Sequence, residues 1–248
     1  MKQINPQKEK QQPLQQIELI FDFFHRTMMH HAFWFAEVSH QLGKEAAYKA
    51  MEEAWERWFP IQMKRLSKVL GFELADNYPA FLTEMSTEQR ESLTKAVAVN
   101  WLALDGVWFQ AVENQYGMND AKRCNDSCWG QFSPLEATMI RKILNLPEKP
   151  GLEGLKKALR FRLYAFVNEQ TFTEETENSF VFRMNHCRVQ AARQRKGLPD
   201  YPCKSGGLVE YASFARTIDS RIKTEALVCP PDHHPDEYFC AWRFTIEE

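Results

Sequence analysis

Apolar positions recur at helical spacing over most of the first two-thirds of the chain. Between Leu14 and Leu42 they fall at Ile17, Ile20, Phe24, Met28, Phe35 and Val38, which predicts a long helix with Gly43 as its stop. A second helix is expected from Lys44 to Leu70, closed by Gly71 and kinked or broken at Pro60, because proline lacks the donor that an interior turn needs. Ser86 with Gln89 makes a capping box for a helix running from Thr87 to Tyr116 and stopping at Gly117. Helical pattern resumes over Asn119–Gln131. The run Ser133-Pro134-Leu135-Glu136 then predicts an N-cap, a first-turn proline and a carboxylate opening another helix, which ends near Asn145. One more helix is expected from Leu152 to Val167.

Beyond residue 170 the period changes. Ser179–His186 alternates, with Phe180, Phe182 and Met184 on one face, and reads as a strand. A short basic helix (Arg188–Lys196) and a helix over Gly207–Ile218 follow, then strands at Arg221–Cys229 and Tyr238–Ile246. These two are joined by a loop stiffened by Pro230, Pro231 and Pro235. The fold class is therefore α+β, with a helical N-terminal two-thirds packed on a small antiparallel sheet with helices in the C-terminal third. The expected organisation is a disordered leader at 1–13, a helical region at 14–168 and a cysteine-bearing α+β module at 169–248. Trp34-Phe35 with Val38 and Trp108-Phe109 with Val112 share a WFxxV pattern, which by itself is too short to establish a duplication.

Composition narrows the function classes. A 44% hydrophobic and 13% aromatic chain, with 18 Phe and 7 Trp, can build a sizeable core. A net charge of -2 gives no electrostatic case for nucleic acid. The helical stretches carry charged or His residues every few positions, so none offers the apolar span of roughly 20 residues that a bilayer needs. The polar, Gln-rich start MKQINPQKEKQQPLQQ lacks an export signal, which predicts a soluble cytoplasmic protein whose six cysteines are thiols, thiolates or metal ligands rather than disulfides.

Four places can carry chemistry. Cys187, Cys203, Cys229 and Cys240 sit at element ends. With Cys229 and Cys240 opposite across a hairpin, four converging thiolates would suit tetrahedral Zn²⁺. The same residues also read as ordinary buried cysteines, since no CxxC spacing is present. One of them, Cys187, could act as a nucleophile if Arg188, Arg193, Arg195 and Lys196 lowered its pKa, while Arg193 or Lys204 held a substrate carboxylate. A solvated basic helix face would look alike. On the long helices, His31, Glu37 and Asp105 are the candidate acid–base groups and Trp34 and Trp108 the candidate aromatic walls of a pocket, or else aromatic core with satisfied polar residues. Cys124 and Cys128 share a helix face and read as a metal pair or a packing seam. His233 and His234, between Asp232 and Asp236, could ligate metal or move protons, or simply occupy an exposed polar loop.

The segments Asn185-His186-Cys187-Arg188-Val189-Gln190, Gly197-Leu198-Pro199-Asp200-Tyr201-Pro202-Cys203-Lys204, Cys229-Pro230-Pro231-Asp232 and Cys240-Ala241-Trp242 resemble an uncharacterised prokaryotic family labelled only "cytosolic protein". His30-His31-Ala32-Phe33-Trp34-Phe35 and Asn125-Asp126-Ser127-Cys128-Trp129 carry the same resemblance. More distantly the layout is similar to L-2-amino-thiazoline-4-carboxylate hydrolase-like and vinyl-reductase-like proteins, which implies a small-molecule site between helices and sheet. The expectation is an enzyme acting on a small anionic molecule, a hydrolase using a cysteine-bound metal or a reactive thiol. The alternative is a non-catalytic ligand-binding or sensor protein with structural zinc. Zinc is the expected cofactor, no nucleotide cofactor is indicated, and the expected partners are a small molecule and a second copy in a homodimer.

Overall fold

A computed structural model describes residues 13–247. The leader expected at 1–13 therefore falls outside the described residues except at Pro13, which opens the first helix. The chain divides into two compact units between Met85 and Ser86, whereas the texture of the sequence changes near residue 170.

The first unit is a helical hairpin, α1 (Pro13–Leu42) and α2 (Lys44–Leu70), followed by two-residue strands β1 (Leu74–Ala75) and β2 (Tyr78–Pro79) and a short α3 (Ala80–Glu84). Helix α2 runs unbroken through Pro60. Gly71 closes it in the left-handed conformation at φ 75°, its N–H bonded to Ser67 O. Among the described residues of α1 none is buried.

The second unit begins with α4 (Thr87–Tyr116), and its capping box forms as the sequence predicts. Helix α5 (Met118–Ile143) passes straight through Ser133 and Pro134, so the expected break is absent. Ser133 is not an N-cap. Its hydroxyl is buried and donates to Glu210 O at 2.9 Å. Then come α6 (Gly151–Leu159), a 3-10 turn at Leu163–Phe166, β3 (Glu169–Thr173), β4 (Ser179–His186), α7 (Arg188–Gln194), α8 (Lys204–Ile218), β5 (Ile222–Val228) and β6 (Cys240–Ile246). The sheet is antiparallel in the order β3-β4-β6-β5. Phe180, Phe182, Met184, Trp242 and Phe244 point into one core with Leu155, Leu159, Tyr211 and Phe214 from α6 and α8. The α+β class thus holds, and α4 and α5 belong to the same unit as the sheet.

The two hairpins share a layout. Each is a 30-residue helix, a glycine (Gly43 at φ 88°, Gly117 at φ 86°) and a helix of 27 or 26 residues. One constant spacing relates Trp34 to Trp108, Phe35 to Phe109, Val38 to Val112, Gly43 to Gly117, Ala47 to Ala121, Trp55 to Trp129 and Pro60 to Pro134. The WFxxV echo is the visible part of a repeated hairpin.

Asp219, at the end of α8, is only 2% exposed. Its carboxylate accepts from Arg221 Nε (3.0 Å), Arg221 N (3.1 Å) and Gly151 N (3.0 Å), tying α8 to the start of α6. The Arg221 hydrogen bonds come first among the causes that lower its pKa from 3.8 to about 2. A carboxyl lowered by folding contributes stability that is complete above its ordinary pKa and is lost as pH falls through the folded value. Asp219→Asn is expected to cost on the order of 1–2 kcal/mol at neutral pH, discounted because Arg221 is solvent-exposed. Urea melts across the acid range check this. The wild-type advantage should shrink between about pH 4 and about pH 2.

Candidate thiol centre and its surroundings

Backbone pairing brings four cysteines to one end of the sheet. In the β5–β6 hairpin Val228 pairs with Ala241, so Cys229 and Cys240 are the next residues out on facing strands. Met184 pairs with Cys240, and Phe239 N–H bonds Met184 O at 2.9 Å, which places Cys187 just beyond that edge. Lys204 N–H bonds Pro230 O at 2.9 Å, setting Cys203 beside Cys229. Cys187 and Cys203 are the N-cap residues of α7 and α8.

Gln190 fixes this end. It is 1% exposed, accepts Tyr201 N–H at 2.8 Å, and donates through Nε2 to Tyr201 O (2.9 Å) and Cys203 Sγ (3.1 Å). Cys240 shares a hydrogen bond with Cys229, and this bond, ahead of burial, holds the Cys240 thiol well above its ordinary pKa. Burial pushes Cys187 up to about 11, although the backbone N–H groups of Gln190 and Val189 favour its thiolate. Burial, then the neighbouring Cys187 and Cys240, raise Cys203 well above 9.0, with Lys122 opposing.

Each shift runs against the expected activation of Cys187 by basic neighbours. Burial dominates, because Arg188 and Arg195 are exposed and Arg193 spends its Nε on Pro199 O at 2.7 Å. Protonated thiols are poor nucleophiles. Among the described residues, no three His, Cys, Asp or Glu side chains are disposed to hold a metal ion. The four cysteines share one end of the sheet, but Cys203 accepts from Gln190 and Cys240 lies against Cys229 rather than all four being set out as a ligand shell.

His31 and Trp34 together line a cleft between α1 and α2, and the other predicted site residues disperse. His31, Trp34 and Glu37 are exposed on α1, with Glu37 bonded to Gln41. Trp108 is 59% exposed, while Trp101 turns inward against Trp129, Phe132 and Tyr164. Asp105 is partly buried and its pKa is raised by desolvation. Its charge is felt at Cys128, Tyr164 and Tyr201. Lys204 pairs with Asp232 at 2.7 Å, so it is already occupied. His234 bonds Asp200 at 2.9 Å and Pro235 O at 2.7 Å, and His233 is exposed. Cys124 and Cys128 are both exposed, on α5.

Sequence reasoning did not pick out a buried charge cluster deep in the same unit. Arg162, 2% exposed, bonds Glu136 through Nε at 2.8 Å and meets Glu210 at 2.7 Å. Glu136 also accepts Leu163 N–H at 2.9 Å, so it is no helix-opening carboxylate. Burial raises the Glu210 pKa, and Glu210 in turn raises those of Tyr164, Cys187, Cys203 and Cys240. The available signal was weak: three charged residues in otherwise apolar helical stretches.

A model described as a family of unknown function (DUF6125) matches residues 9–86 and 83–246, and each matched segment contains one of the two hairpins. No curated protein and no solved structure matches the chain. Among the described residues no helix is long and apolar enough to cross a membrane.

Proposed function

Because the chain belongs to a family of unknown function (DUF6125), its membership supplies no reaction, and we propose from the chemistry alone that the cysteine end of the sheet takes up a soft divalent cation, Zn²⁺ being the best fit, in a protein that binds or senses a small molecule. The supporting observation is that Cys187, Cys203, Cys229 and Cys240 arrive from separate elements yet are tied together through Gln190, Pro230 and Met184. Buried thiols this close raise one another's pKa. A cation would reverse that balance by displacing their protons and pairing with the thiolates. The hydrogen bonds to Cys187 from α7 and to Cys203 from Gln190 would then serve as donors to thiolate sulfur.

Hydrolysis of a small anionic molecule is the second reading. Asp105 favours it, as a partly buried carboxyl with a raised pKa in the same unit. The two readings differ in ligand count: four thiolates close a structural site, whereas three thiolates and a water leave a catalytic one open.

Elemental analysis of the purified protein is expected to return one zinc per chain. Cys203→Ala and Cys240→Ala should each lose it, and Cys124→Ala should keep it. The absorption spectrum of the cobalt-substituted protein then separates four sulfur ligands from three with one oxygen. Metal-free wild type that folds normally in zinc-supplemented medium would end the proposal.

A further inference from the structure

The first hairpin carries an apolar surface too large for one chain to leave uncovered. On α1, Ile17, Phe21, Phe24 and Met28 follow the four-three-four spacing of a packing seam, yet they are 51, 67, 48 and 55% exposed. Phe23 and Trp34, at 53 and 63%, widen the seam. At about 200 Å² per large side chain, these six leave on the order of 600–700 Å² of apolar surface open. Trp55 and Trp58 on α2, 51 and 39% exposed, bring the sum to roughly 800 Å². That exceeds the largest patch of an ordinary monomer, about 300–600 Å². It matches the share of one partner in a standard interface, about 800 Å².

The surface is also shaped in two halves. The Ile17–Met28 half of α1 exposes Phe21 and Met28 beside a smaller cleft of about 220 Å³ lined by Ile20, Phe23 and Phe24. The half nearer Gly43 is recessed, a cleft of about 340 Å³ with Trp34 and Phe35 on its rim and Ala47, Ala50 and Ala54 of α2 lining it. The repeated hairpin indicates what such a cleft accepts. In the second unit the matching position is filled by the Tyr201 ring, edge-on to Phe109 at 5.2 Å with its hydroxyl 3.4 Å from Asn125. The equivalents of Phe109 and Asn125 are Phe35 and Met51, which line the open cleft.

We propose that this cleft and seam form a self-association surface, on which α1 of a second copy lies antiparallel so that its Phe21 enters the recess. A two-fold interface requires a surface that carries both knob and hole, each copy giving what it receives. Along α1, exposed Phe21 and the larger cleft occupy opposite halves, as an antiparallel pair demands. The product is a four-helix bundle of two hairpins.

Sedimentation of the full-length chain tests this. The wild type should be a dimer at micromolar concentration, and Phe21→Asp or Ala50→Arg should halve the apparent mass with the helical circular dichroism retained. Trp108→Asp, at the matching and similarly exposed position of the second hairpin, should leave the dimer intact. Mixing the Phe21→Asp and Ala50→Arg chains should restore a dimer, since one of its two equivalent contacts is then native and the other an Asp–Arg pair. A chain monomeric up to about 100 μM overturns the proposal, as does a dimer broken by Trp108→Asp but indifferent to both hairpin variants.

Discussion

Arg162→Met is expected to destabilise the protein by about 3–5 kcal/mol, the range for removing one partner from a buried ion cluster. The loss is not that of a contact alone. Arg162 faces two carboxylates, Glu136 and Glu210, that are 7% exposed each. Its guanidinium also lies 4.7 Å from the Phe214 ring centre and 5.5 Å from that of Tyr211. Without it, two acids remain buried without their cation, and Glu210, whose pKa burial already raises, must take up a proton to stay inside. A carboxyl whose pKa is raised by folding loses stability as pH climbs from its unfolded toward its folded value. The variant should therefore melt at a higher temperature at pH 5 than at pH 7, with a steeper dependence than wild type. Adding Glu136→Gln and Glu210→Gln should recover part of the loss. Arg162→Lys should not, because an ammonium cannot address two carboxylates and stack on aromatic rings at once. Urea unfolding at the two pH values is the measurement. A single variant within about 0.5 kcal/mol of wild type would show that the cluster contributes nothing to the fold.

Trp242→Ala carries a comparable cost, about 3–5 kcal/mol, from the cavity left by the largest fully buried side chain. Trp242 sits on β6 between Phe182 and Ala226 of the flanking strands and stacks on Tyr211 at 4.7 Å. Above it α8 comes so close that a Cβ on Gly207 would lie 2.6 Å from Cζ2 of the indole. Gly207→Ala alone should thus cost about 1–3 kcal/mol through overpacking. In a Trp242→Phe background, where the smaller ring opens space, the same substitution should cost less. A double-mutant cycle measures this coupling, and additive losses would mean that helix and indole do not constrain each other. Because Cys240 lies two residues before Trp242, and Cys203 four before Gly207, both variants should also weaken the metal uptake proposed for the cysteine end.

Much of the secondary structure was legible. Ser86 and Gln89 announced α4, and Gly43, Gly71 and Gly117 announced helix ends, because caps are local events between residues close in sequence. Alternation over Phe180, Phe182 and Met184 fixed which face of β4 turns inward. Ser133-Pro134 misled for the same local reason. It has the form of a helix start, yet a continuous helix survives there because Ser133 finds its partner on Glu210, far along the chain. The cysteine end was half legible: hairpin logic set Cys229 against Cys240, but nothing local disclosed Gln190 as the clasp on Cys203.

By itself, then, the sequence determined the α+β class, the limits of α1, α2 and α4, the inward face of the central strand and the pairing of one hairpin, since all of these follow from periodicity and from contacts between near neighbours. Only the tertiary structure decided that Arg162 joins Glu136 to Glu210, that burial rather than basic neighbours governs the Cys187 thiol, and that two hairpins repeat one another. Those outcomes depend on which distant surfaces exclude water from a group. Solvent exclusion belongs to the assembled fold, and no short window of residues encodes it.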